Sequence, residues 1–135
     1  MTQKLTSLFV VPALVATLSS LPSLALAQTQ AQAKACLMEG SITLGAEKTE
    51  IKDCLQNNGV AQAQFVETCN SLAQATTALG GPPAKVSFMA ACPAPAQASC
   101  AGFFGQPMTS YYYKRDAKTL ASSKTGCQAQ GGKWQ

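Results

Sequence analysis

Six cysteines, Cys36, Cys54, Cys69, Cys92, Cys100 and Cys127, all lie beyond an apolar N-terminal stretch in a chain of 135 residues. An even thiol count in a small exported chain reads as a disulfide framework, because the space outside the cytosol is oxidising. Up to three bridges would staple a domain too small to rely on its core alone. Each bridge typically contributes about 2–4 kcal/mol, against the roughly 5–15 kcal/mol that keeps a domain folded.

The N-terminal stretch has the parts of a cleavable leader. Lys4 gives the start a positive charge, and residues 8–18 (LFVVPALVATL) form an apolar run. Pro22 breaks the run, and Ala25-Leu26-Ala27 puts small residues where signal peptidase needs them. A membrane helix needs about 20 apolar residues, and Ser19, Ser20 and Ser23 interrupt this run early. Cys36 follows Ala33-Lys34-Ala35, a poor context for lipidation. The expected organisation is a signal peptide over 1–27, a disordered lead over 28–35 and one cysteine-rich domain over 36–135, with no membrane span after cleavage. The expected location is the periplasm or the secreted space, and the short alanine-rich leader suits a bacterial periplasm.

Charge is unevenly spread. The whole chain carries +4, and Lys4 belongs to the leader. Three lysines and five acids lie between Lys34 and Asn70, whereas Lys114, Arg115, Lys118, Lys124 and Lys133 face Asp116 alone in the last stretch. That basic end could meet an anionic partner, or it could be a solvated helix face. No pattern points to nucleic acid.

Periodicity predicts an α+β fold, a short antiparallel sheet with two helices on one side. Phe65, Cys69, Leu72, Thr76 and Leu79 recur at helical spacing over 61–79, with Val66 and Ala73 widening the stripe. Asn57 or Asn58 is the expected cap, Gly80 suits the C′ position, and Pro82 forbids continuation. Val86, Phe88, Ala90 and Cys92 alternate over 85–92, predicting a strand packed on that helix. Residues 109–114 (TSYYYK) predict another. Asp116 should cap a last helix bearing Leu120 and Cys127, ended by Gly131-Gly132, with Lys133-Trp134 as a short edge strand. Met38, Ile42, Leu44, Ile51 and Leu55 predict a hairpin with a four-residue loop over 45–48, pairing Ile42 with Ile51.

Disulfide connectivity can be narrowed by geometry. The hairpin puts Cys36 and Cys54 on opposite faces, so they should not pair. From Cys69 the helix runs about 15 Å to its end. A strand returning at about 3.3 Å per residue draws level near Phe88 and overshoots by roughly 10 Å at Cys92. Bridged Cα atoms must lie within about 7 Å. Cys92 should therefore meet Cys54 near the helix start. Cys100–Cys127 is expected as a pairing of sequence neighbours, with Cys127 on the inward side beside Leu120, and that leaves Cys36–Cys69.

Catalytic chemistry is thinly represented. The chain has no histidine, which removes the commonest general base and metal ligand. It has no CxxC spacing and no paired-carboxylate or phosphate-loop motif. No cofactor and no metal are expected. Ser122, Ser123 and Lys124 are sequence neighbours, and helix neighbours do not face one another.

Two patches are candidate binding sites. Tyr111, Tyr112 and Tyr113 with Lys114 and Arg115 could form a stacking platform with adjacent cations, suited to a sugar, an anionic glycolipid or a protein. Alternation puts Tyr111 and Tyr113 on one face and Tyr112 on the other, so the bland alternative is one face in the core and a half-covered ring on the other. Phe103 and Phe104, in a turn-rich stretch, could be a plug over the core beside Cys100 or an exposed contact loop. The expected function is a disulfide-stabilised, non-catalytic protein that binds an envelope protein or glycan, as an inhibitor or immunity-like protein or as a structural component. The alternative is a small periplasmic enzyme using a free cysteine or a hydroxyl nucleophile.

Overall fold

The N-terminal hairpin sets the frame on which everything else is placed. In the computed structural model, which describes residues 33–135, β1 (Ala35–Leu44) pairs antiparallel with β2 (Glu47–Asn57) over its full length. The turn has two residues, Gly45 and Ala46, rather than the expected four. Gly45 adopts φ 67°, the left-handed conformation wanted at the first central position of a tight hairpin turn. Pairing is shifted by two accordingly: Ile42 lies opposite Thr49, and Cys36 opposite Leu55. An even shift leaves every side chain on its expected face.

Four further strands complete the sheet: β3 (Lys85–Met89), β4 (Ala98–Ala101), β5 (Met108–Tyr112) and β6 (Lys133–Trp134). The order is β3-β1-β2-β5-β4-β6, with antiparallel pairing throughout. Helices α1 (Gln62–Ala75) and α2 (Ala117–Ala129) make this an α+β fold. The registers put Cys36, Met38, Asp53, Leu55, Ser110, Tyr112 and Cys100 on one face. We call it the inner face, because Cys36 is bridged to Cys69 of α1 and Cys100 to Cys127 of α2.

Helix α1 buries Phe65, Cys69 and Ala73 against Cys36, Met38 and Leu55, with Leu72, Val86 and Phe88 partly buried beside them. A 3-10 turn over Thr76–Leu79 extends it, and Gly80 ends it at φ 75°, as a left-handed C′ residue should. The start differs from expectation. Asn57 accepts from the N–H groups of Gly59 and Val60, so it shapes the turn before the helix. The N-cap is Ala61, without a side-chain cap. Asp116 does cap α2, accepting from the Thr119 N–H at 2.8 Å. Phe65 is fully buried, so Phe65→Ala should cost about 3–5 kcal/mol and lower the melting temperature by at least about 12 °C. Gln74→Ala, on the exposed side, should not move it, and equal effects in a thermal melt would show the helix packs on another face.

Behind the sheet lies a second, smaller core. Ala35, Leu37 and Cys54 are buried there with Met89, Cys92, Tyr111 and Tyr113 around them. The strand expected over 85–92 ends at Met89. The chain then crosses to this outer face, where Cys92 bridges Cys54 and its N–H donates to Gln56 Oε1. All three pairings match the sequence expectation, but Cys54–Cys92 forms on the face away from α1. Ala33 and Ala35 are buried, and Lys34 bonds Met89 and Asn57 through its backbone. Part of the lead expected over 28–35 thus belongs to the fold. The expected leader over 1–27 lies outside the described residues.

Three disulfides in so small a domain are the pattern of a protein that folds in an oxidising compartment. Among the described residues no helix is long and apolar enough to cross a membrane.

Candidate functional site

The two helix-bearing disulfides hold α1 and α2 apart. Cys36 sits on β1 and Cys100 on β4, with β2 and β5 between. Three strand spacings amount to about 14 Å, whereas helices in direct contact lie about 8–10 Å apart. A cleft of about 360 Å³ remains between them on the inner face. That is at the low end of the range for small-molecule sites.

Its floor includes Met38, Ile51, Asp53, Ser110 and Tyr112. Leu72 and Leu79 rise on the α1 side, and Ser123 and Gly126 on the α2 side. Phe103 and Phe104 come from the 3-10 turn before β5, and Arg115 from just after it, so aromatic and basic groups sit toward opposite ends of that strand.

Asp53 is the one acid on this floor, and its position follows from strand alternation. It lies between Met38 and Tyr112 in the register and is ion-paired with Arg115. The guanidinium also lies over the Tyr112 ring, 5.1 Å from its centroid. Burial pushes the Asp53 carboxyl above its ordinary pKa, with the charge and hydrogen bond of Arg115 pulling the other way. Burial likewise raises the Tyr112 phenol, opposed by a hydrogen bond with Ser110. Tyr112 stacks on Trp134 at 5.5 Å between centroids. Asp53 Oδ1 and Arg115 Nε are buried without a hydrogen-bond partner in the protein.

The tyrosine–cation patch is divided by the sheet. Tyr112 and Arg115 line the cleft, while Tyr111 and Tyr113 pack on the outer face. The Tyr113 hydroxyl donates to the Pro93 carbonyl at 2.7 Å. Lys114 is paired with Glu50, which lowers the pKa of that exposed carboxylate through their hydrogen bond and charge. No single platform of three rings and two cations forms. Two of the basic residues crowded at the end of the chain are answered by acids of β2, which reduces the surplus there.

The two phenylalanines also divide, although their rings are 4.2 Å apart. Phe103 packs against the buried clusters under both helices, while Phe104 is 52% exposed. Sequence reasoning missed Asp53, Leu79 and Gly126 as cleft residues. Helical spacing had marked Leu79 as part of an apolar stripe, and alternation could have placed Asp53 on the inner face beside Met38.

All six cysteines are bridged, so an enzyme using a free cysteine has no thiol to work with. The Ser122 and Ser123 hydroxyls donate to carbonyls of their own helix. No cluster of metal-ligating side chains occurs among the described residues. Comparison with protein-family models, curated proteins and solved structures finds no match.

Proposed function

We propose that this chain is a small exported binding protein that carries an apolar ligand in the cleft between α1 and α2. The observation that carries this reading is the placement of Leu79 and Phe104. They are the large hydrophobic residues left exposed among the described residues, at 46% and 52%, and both line the same concavity. Exposed apolar side chains scattered singly need no explanation, but a shared concave patch marks a binding surface.

Phe104 supports it further. It holds φ 52° between Gly102 and Gly105, both also in the left-handed region. A phenylalanine there is strained by about 1–2 kcal/mol, and strain of this kind collects at ligand sites. The leader motif and the three bridges support export to the periplasm or the secreted space, with cleavage after Ala27.

Protein purified from its own host without denaturation should begin at Gln28 and, by native mass spectrometry, carry a small apolar molecule. Phe104→Asp should lose that molecule and keep its fold, because aspartate tolerates a left-handed backbone. A chain that still begins at Met1 would overturn export. A wild-type protein that carries nothing would overturn the cleft as a ligand site.

A further inference from the structure

We infer that the cleft holds a single uncharged hydrocarbon chain, and that Gly126 is the residue that keeps room for it. This rests on the cleft being the ligand site, and it names the ligand class.

Dimensions come first. The floor crosses from β1 to β4, about 14 Å, in a volume of about 360 Å³. Those strands anchor α1 and α2, so about 14 Å is the distance between the walls; helices in direct contact lie about 8–10 Å apart, which leaves a slot about 4–6 Å wide. An α-helix with its side chains is about 10–12 Å across, far too wide. One extended hydrocarbon chain fits, and Met38, Ile51, Leu72, Leu79 and Phe104 supply an apolar lining.

Charge narrows the head group. The charged groups at the cleft are Asp53 and Arg115, and they neutralise each other. A carboxylate head placed here meets Asp53, and an ammonium head meets Arg115. The other polar side chains, Thr76, Ser110, Tyr112, Ser123 and Gln130, are uncharged. An uncharged head is the one that suffers no like-charge contact.

Gly126 is the independent observation. It lies inside α2 and lines the cleft. Glycine inside a helix is less stable than alanine, and it is usually explained by close packing. Here a Cβ would meet nothing within 4 Å. The space a side chain would fill is the cleft itself.

The test uses three probes with one tail: 1-decanol, decanoate and decyltrimethylammonium, each below its micelle concentration, titrated calorimetrically into the oxidised protein. Decanol should bind at one site, at least tenfold tighter than either ion. Its binding should carry a negative heat-capacity change, the mark of apolar burial. Gly126→Leu should melt no lower than wild type and bind decanol at least tenfold more weakly. Ala75→Trp, which fills the facing wall from an exposed position, should do the same and serves if the leucine variant misfolds. An ion that binds as tightly as decanol overturns the uncharged chain while leaving the cleft as a site. Wild-type decanol affinity in both filled variants overturns the location. No binding of any probe overturns the inference, and the cargo found on the native protein then decides the broader reading separately.

Discussion

Full reduction is expected to unfold this protein at room temperature. The three bridges close segments of 33, 38 and 27 residues. Loop-closure entropy values each at about 3.5–4 kcal/mol, and a domain of this size has roughly 5–15 kcal/mol in total. The Cys36–Cys69 and Cys54–Cys92 loops interlock in sequence, so their contributions do not simply add, but losing any two approaches or exceeds the low end. The order of opening should follow burial. Cys36, Cys69 and Cys54 are fully buried, and Cys100 and Cys127 nearly so, while Cys92 is partly open to solvent. Mild reductant followed by alkylation should therefore give a folded species labelled at Cys54 and Cys92. The helix-bearing bridges should open only with the loss of near-UV circular dichroism. First labelling at Cys100 and Cys127, or a fully reduced chain that keeps its signal, would refute this.

The connectivity behind that prediction was legible in the sequence because alternation and helix rise are rigid rulers. Cys36 and Cys54 lie on opposite faces whichever of the even-shifted registers the hairpin takes. Helix length alone kept Cys69 from Cys92. Cys92 has the expected partner but on the other face, since only a strand continuing through Cys92 would keep it on the α1 side. The strand stops at Met89, and Cys54 points away from α1, so the chain must cross the sheet to reach it. A short strand, β4, escaped notice for a different reason. Its residues, Ala98–Ala101, have no β-branched or aromatic side chain to signal it, and it exists because β5 and β6 flank it.

The candidate site was legible only in fragments. The aromatic and basic residues near the end of the chain stood out by composition, and alternation then divided them between two environments. What makes the cleft is the distance between two anchored helices, and that depends on strand order. Nothing local records that β2 and β5 lie between β1 and β4. Asp53 and Arg115 are far apart in sequence, and their pairing follows from the same order, since β5 delivers Arg115 beside β2.

Gly81→Ala is the second large effect, and its cause is equally remote from sequence pattern. Gly80-Gly81-Pro82-Pro83 reads as a chain break, and Gly80 fulfils that role with its left-handed backbone. Gly81 has no such conformation to justify it. An added Cβ would instead lie 1.9 Å from the Ser41 carbonyl oxygen and 3.3 Å from the Ile42 Cα. These are backbone atoms of β1, so no rotamer change relieves the clash. Either β1 or the 3-10 turn must move, and that turn carries Thr76 and Leu79, part of the cleft wall. Overpacking typically costs about 1–3 kcal/mol where side chains can yield, and a backbone clash should reach or exceed the upper figure. At about 4–8 °C per kcal/mol for a domain of this size, the melting temperature should fall by at least about 12 °C. Decanol binding should weaken as well, because the displaced wall includes Leu79. Gly45→Ala separates sterics from conformation. Its backbone is left-handed and its Cβ would meet nothing within 4 Å, so it should lose only about 1–2 kcal/mol and keep the cleft intact. A Gly81→Ala protein that melts within a few degrees of wild type would show that the 3-10 turn is not held against β1, and the α1 wall of the cleft would lose its support.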